Sequence, residues 1–155
     1  MSKNLNVFSA AYGLLINGEW TKPGDLLESV NPANGQLLAK FTDATEADVN
    51  AAVAAAQEAF KSWKKTTAAE RANILIKIAE VIEENLELFA LQETLDNGKP
   101  IRETRAADIA LSADHFRYFA GVIRGEEGTA NQLDEEDLSI VLREPIGVVG
   151  QIIPW

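Results

Sequence analysis

Cysteine is absent from this 155-residue sequence. Disulfides, thiolate metal centres and a cysteine nucleophile are therefore excluded within it. Histidine occurs once, as His115 between Asp114 and Phe116. Acid–base catalysis needs a positioned partner and a pocket, and neither is visible around it, so His115 reads as structural. Basic residues are scarce: 14 stand against 24 acidic ones, for a formal net charge of -10. Such a balance repels phosphate backbones and argues against nucleic acid as a partner. No apolar run reaches the roughly 18 residues of a membrane span. Residues 1–11 are mostly polar and lack the apolar core of a signal peptide. No G-x-G-x-x-G or G-x-x-x-x-G-K-[ST] phosphate loop occurs, and no internal repeat. What remains is 46% hydrophobic and 25% charged, the composition of an ordinary globular domain. A cytoplasmic location fits the lack of cysteine.

Residues 1–11 form a polar lead-in. "YGLLINGEW" then places Asn17-Gly18 between short apolar segments, a strong hairpin signal because both residues tolerate positive φ. "LLESVNPANGQLLAKF" repeats the pattern, with a strand over Leu26–Val30, a turn over Asn31–Gly35 and a strand over Gln36–Phe41. These pieces predict a small antiparallel unit.

The middle is helical. Thr45 with Asp48 three residues on predicts a helix start. Val49, Val53, Ala56, Phe60 and Trp63 follow at helical spacing. Thr67 and Glu70 form a second capping pair, ahead of a stripe of Ile74, Leu75, Ile78, Val81, Ile82 and Phe89. That helix is expected to run without a break to the stop signal Asn97-Gly98, with Pro100 beyond it. Lys99 there is a helix-end feature and not a site by itself. A third helix is expected from Ile101 to Ile123. It carries two apolar faces, Ile109, Phe116, Phe119 and Ile123 on one and Leu111, Tyr118 and Val122 on the other. Such a helix packs between two partners.

Gly125 and Gly128 end the helix. "LDEEDL" reads as a solvated acidic turn, a metal site being the alternative. "LSIVLRE" is rich in β-branched residues and predicts a strand. "IGVVGQIIPW", Ile146 to Trp155, is almost wholly apolar and uncharged. It predicts a strand of a parallel sheet, buried on both faces. Ligands in open α/β sheets bind beyond the carboxyl ends of such strands, where Pro154 and Trp155 lie. The alternative is a core strand whose Trp merely packs.

"LLINGEW", "SVNPANG", "ALQETLDNGKPIRET", "DHFRYFAG" and "REPIGVVGQIIPW", in this order and spacing, resemble the N-terminal part of the NAD(P)-dependent aldehyde dehydrogenase family. The likeness runs from about Tyr12 to the end. "GKPIRETRAADIALSADHFRYFAGVIRGEEGT" is most similar to the bacterial acetaldehyde or short-chain aldehyde branch. The resemblance implies an α/β fold, incomplete here: antiparallel hairpins and long helices leading into the first strand of a Rossmann-like sheet. It implies residues 12–124 as the hairpin and helical part of the cofactor-binding domain. Residues 125–144 become an oligomerisation-type strand region, and 145–155 the first strand of the dinucleotide-binding sheet.

The same resemblance implies NAD or NADP as cofactor, contacted by Ile152, Ile153, Pro154 and Trp155. It implies a monovalent-cation site at Ser29, Val30 and Asp96, with the Val30 carbonyl and the Asp96 carboxylate as hard oxygen ligands. Leu111 falls where a residue lines the substrate tunnel. Ser139 to Glu144 falls in strands that build a homo-oligomer, a dimer or tetramer. The implied chemistry is covalent: a thiolate adds to the aldehyde to give a thiohemiacetal, hydride passes to the nicotinamide, and activated water releases the acid. The nucleophilic Cys, the general base and the carbonyl-polarising Asn are expected beyond Trp155. Two readings are open: the opening portion of an aldehyde-oxidising enzyme, or an inactive fragment acting at most as an interaction module.

Overall fold

The computed structural model describes residues 7–153. Its elements run β1 (Ala11–Tyr12), β2 (Leu15–Ile16), β3 (Glu19–Trp20), β4 (Leu26–Val30), β5 (Leu37–Thr42), α1 (Glu46–Trp63), α2 (Ala68–Glu84) and α3 (Leu86–Asn97). Next come α4 (Ile101–Glu103), a π-helical turn (Thr104–Asp108), α5 (Ile109–Val122), β6 (Thr129–Gln132) and β7 (Leu138–Val141).

Local chemistry explains most boundaries. Asn17 and Gly18 both take positive φ, 54° and 79°, which gives the twist that a two-residue connection between β2 and β3 needs. In the turn after β4, the Asn31 side chain accepts from the Ala33 N–H at 2.9 Å. The Asn31 carbonyl accepts from Gly35 N–H at 2.7 Å. Both predicted helix starts are capping boxes, Thr45 with Asp48 and Thr67 with Glu70. Gly98, at φ 80° and ψ 7°, closes α3 in the left-handed conformation, which a residue without Cβ adopts at little cost.

The structure departs from the sequence pattern in five places. The expected helix from Thr67 to Asn97 is divided at Asn85, whose backbone leaves the helical region at φ -112° and ψ 18°. Its side-chain amide donates back to the Val81 carbonyl at 2.8 Å, taking up a helix-end acceptor. The expected helix from Ile101 carries the π turn, in which Ile109 N–H donates to the Thr104 carbonyl five residues back. The β unit is not purely antiparallel: β1, which spans the end of the predicted lead-in and the first residue after it, pairs parallel to β5, giving the order β1-β5-β4. β7 has an antiparallel partner, β6, in a polar segment whose residue pattern alone predicted no strand, although it lies within the strand region that the resemblance implied. Finally, Ile146–Ile153 form no strand. An extended segment becomes a strand only by pairing, and none of the described strands pairs with it. Ile146, Ile152 and Ile153 are accordingly 93%, 98% and 75% exposed; Pro154 and Trp155 lie outside the described residues.

The core is built on alanine. Ala72 and Ala79 of α2, Ala90 of α3, and Ala113 and Ala120 of α5 are buried. Small side chains let α2 and α5 approach closely, and Arg117 of α5 clasps Glu83 of α2 across the contact, with Nε 3.2 Å from Oε1. Of the larger residues of the predicted stripes, Leu75 and Ile82 of α2, Phe89 of α3, Ile109 and Phe116 of α5 and Ile123 at its end are half-buried. Ile74, Ile78 and Val81 of α2, and Leu111, Tyr118, Phe119 and Val122 of α5, remain exposed. One apolar side of α5 is thus covered and the other bare. Phe119, expected with the covered face, belongs to the bare one. α1 buries none of its residues.

Candidate functional site

The site is built where the sheet meets α3. Spacing along α3 puts Phe89, Gln92, Glu93 and Asp96 on one face, since residues three and four apart stack on a helix. These residues, with Tyr12 of β1, Ser29 of β4 and Ala39 and Phe41 of β5, line a cavity of about 420 Å³. Ile109, the first residue of α5, and Phe8 complete the wall.

The Ser29 hydroxyl donates to Asp96 Oδ1, bridging sheet and helix. Two of the three predicted cation ligands are therefore side by side. Val30 follows at a register irregularity: Ser29 pairs with Ala39 but Val30 with Leu37, so Leu38 is skipped. Hydroxyl, carboxylate and carbonyl oxygens are hard donors suited to a hard cation. Among the described residues, no group of three His, Cys, Asp or Glu is arranged as a metal cluster, so any cation here would lean on neutral oxygens. The cavity lining includes two carboxylates, Glu93 and Asp96, and no basic residue. Glu93 accepts from the Asn97 side-chain amide.

The N-terminal segment is tied over this face. Gln92 Nε2 donates to the Val7 carbonyl at 2.7 Å, one helical turn before Asp96. Behind the site, the Thr104 side chain is fully buried. Its hydroxyl lies 3.1 Å from the Ala90 carbonyl, 3.2 Å from the Ile101 carbonyl and 2.9 Å from the Thr94 hydroxyl. Lys99 reaches Asp108 with Nζ–Oδ2 at 2.5 Å. The Asp108 carboxylate holds the Lys99 ammonium above its ordinary pKa.

The remaining predicted site residues stand apart from the cavity. Leu111 is 51% exposed on α5, two residues beyond Ile109. Ile152 and Ile153 project from the unpaired terminal segment, and Pro154 and Trp155 are not described. His115 is exposed on α5 and takes no part. The acidic turn closes on itself, Asp134 Oδ1 accepting from Glu136 N–H at 2.9 Å and Asp137 N–H at 2.8 Å. Sequence reasoning missed Gln92 and Glu93, although their spacing from Phe89 and Asp96 was available.

A profile of the aldehyde dehydrogenase family matches residues 20–155. The chain belongs to the aldehyde dehydrogenase family. It is 51% identical over 150 residues to an aldehyde dehydrogenase of Vibrio cholerae, a match covering 96% of this chain and 30% of the relative. An acetaldehyde dehydrogenase of Pseudomonas aeruginosa is 50% identical over the same shares. The fold matches the crystal structure of PnpE in complex with nicotinamide adenine dinucleotide at a TM-score of 0.83 and 39% identity, over 87% of this chain and 28% of that one. The chain thus spans about 30% of the length of the curated relatives it matches. The fold is accordingly part of the family fold. No helix among the described residues is long and apolar enough to cross a membrane.

Proposed function

We propose that these residues serve an NAD(P)-dependent oxidoreductase that converts an aldehyde to a carboxylic acid. The carrying observation is the family match over residues 20–155, supported by a similar fold in a protein crystallised with nicotinamide adenine dinucleotide. Bound NAD(P) would supply the hydride acceptor. Ile152, Ile153, Pro154 and Trp155 would lie along it, and Leu111 would line the aldehyde's path. Ser29, the Val30 carbonyl and Asp96 would hold a monovalent cation at the junction of β4 and α3. The β6–β7 hairpin exposes Leu138, Ile140 and Val141 and would join subunits of a homo-oligomer.

The reaction's nucleophile must come from outside residues 1–155, since they contain no cysteine. The test compares two polypeptides, residues 1–155 alone and a full-length protein containing them. The longer one should form NADH or NADPH from acetaldehyde or another aldehyde, and the shorter one should not exceed a blank. Turnover by the shorter polypeptide would overturn the reading, as would inactivity of the longer one toward short, long and aromatic aldehydes alike.

A further inference from the structure

Lys99 sits in a two-sided bend. Gly98 before it ends α3 in the left-handed conformation, and Pro100 after it starts α4 at φ -57° and ψ 135°. Its N–H donates to Asn97 Oδ1 at 2.8 Å, which fixes the backbone. The side chain then passes beside α4 and the π turn to reach Asp108, the last residue of that turn.

A π turn rotates the helix beyond it. Each residue of an α-helix advances about 100° around the axis, so one inserted residue re-aims the next turn by about that angle. The insertion persists where it is held. Here its start is held by Thr104, whose buried hydroxyl bonds to the Ala90 carbonyl of α3. Arg105 is held by Glu87, also on α3, at 2.5 Å. Its end is held only by Lys99 among side-chain ion pairs of the described residues. Just beyond lie Ile109, which lines the cavity, and Leu111. The alanine contact of α5 with α2 begins later, at Ala113. Beside the packing of Ile109 near α3, the first turn of α5 is held by the Lys99–Asp108 pair and by the Ser112 hydroxyl, which donates to the Asp108 carbonyl at 2.7 Å.

We propose that Lys99 is a positioning residue which, through Asp108, aims Leu111 and so helps set the size of aldehyde accepted. The proposal rests on Leu111 lining the aldehyde's path. Both side chains of the pair are partly exposed, 39% and 32%. Pairs of this kind stabilise little, so the effect of Lys99 falls on direction rather than on folding.

The test uses a full-length enzyme containing this sequence, with acetaldehyde and a bulky aromatic aldehyde as paired substrates. Leu111→Ala should change the ratio of the two KM values. Lys99→Met should shift the same ratio by about twofold to fivefold, the most that a partly exposed ion pair can contribute. It should leave kcat for acetaldehyde within about twofold, because uniform binding and transition-state effects separate in this way. Lys99→Arg should restore the ratio, and Asp108→Asn should mimic Lys99→Met should the latter fold poorly. An active Leu111→Ala beside a silent Lys99→Met overturns the proposal alone. A silent Leu111→Ala overturns the reading of Leu111 and this proposal with it. A parallel loss of kcat for both substrates, with the KM ratio unmoved, makes Lys99 merely structural and also overturns it.

Discussion

Pro32 lies against Gly98: a Cβ placed on Gly98 would come within 2.9 Å of the Pro32 Cγ. The turn between β4 and β5 and the end of α3 are therefore seated on each other, beside the Ser29–Asp96 bridge. Gly98 is required twice, by its φ of 80° and by this approach. Gly18, at φ 79°, has open space around its missing Cβ. Gly98→Ala should cost more than the roughly 1–2 kcal/mol of left-handed strain alone, and Gly18→Ala about that amount. Urea unfolding of both variants checks the order; equal costs would show that Pro32 yields freely.

Thr104 carries a hydroxyl with no access to solvent and three neighbours to satisfy. Thr104→Val keeps the shape and removes the bonds. It should destabilise by about 1 kcal/mol, the net worth of a typical hydrogen bond, since each carbonyl keeps its helix N–H partner. Thr104→Ser should recover most of that loss. Chemical denaturation decides, and a neutral Thr104→Val would mean that the π turn relaxes without penalty.

Glu83 and Arg117 make the polar clasp between α2 and α5, and the Arg117 hydrogen bond holds the Glu83 carboxyl below its usual pKa. A carboxyl depressed in the folded state stabilises above its unfolded pKa, and that contribution is lost as pH falls through the folded value. Wild type should therefore melt above Glu83→Gln at neutral pH, and the two should converge in acid. Thermal melts across that range test the sign. A gap that widened in acid would contradict it.

Short-range chemistry was legible in the sequence, and long-range geometry was not. Asn17-Gly18, the Thr45 and Thr67 capping boxes and the Gly98 stop each depend on neighbours within a few residues. Ser29 and Asp96 were paired through family resemblance, and no local rule joins residues that far apart in the chain. The parallel pairing of β1 with β5 is decided by tertiary contact. The π turn depends on Thr104 reaching another helix. The apolar stripes marked the correct helices and half-buried positions such as Leu75, Ile82, Phe116 and Ile123, but not the fully buried alanines, since spacing of large apolar residues does not show where small ones let helices approach.

Helix starts offer a further stability check. Thr67 accepts from the Glu70 N–H, while Glu70 returns a carboxylate to the Thr67 N–H at 2.7 Å. Thr67→Ala should cost about 1 kcal/mol, as loss of an N-cap usually does. Thr67→Ser should cost far less. If the two variants unfold at the same urea concentration, the cap is not what holds the first turn of α2.

The terminal segment gives the last expectation. Val148 to Ile153 contains no charge, is rich in β-branched residues and forms no strand with the described elements. Its backbone groups are open to pairing with another chain, and its composition favours such pairing. Val149 is 62% exposed, so a lysine there meets no packing constraint and adds a charge that opposes strand addition. The net charge of -10 favours solubility but is spread over the whole molecule, whereas strand addition is decided at one edge. A polypeptide of residues 1–155 should therefore self-associate, and Val149→Lys should reduce that. Light scattering on the two versions is the measurement. A monodisperse, monomeric unmodified polypeptide at working concentration would mean that this apolar segment is not a template for pairing.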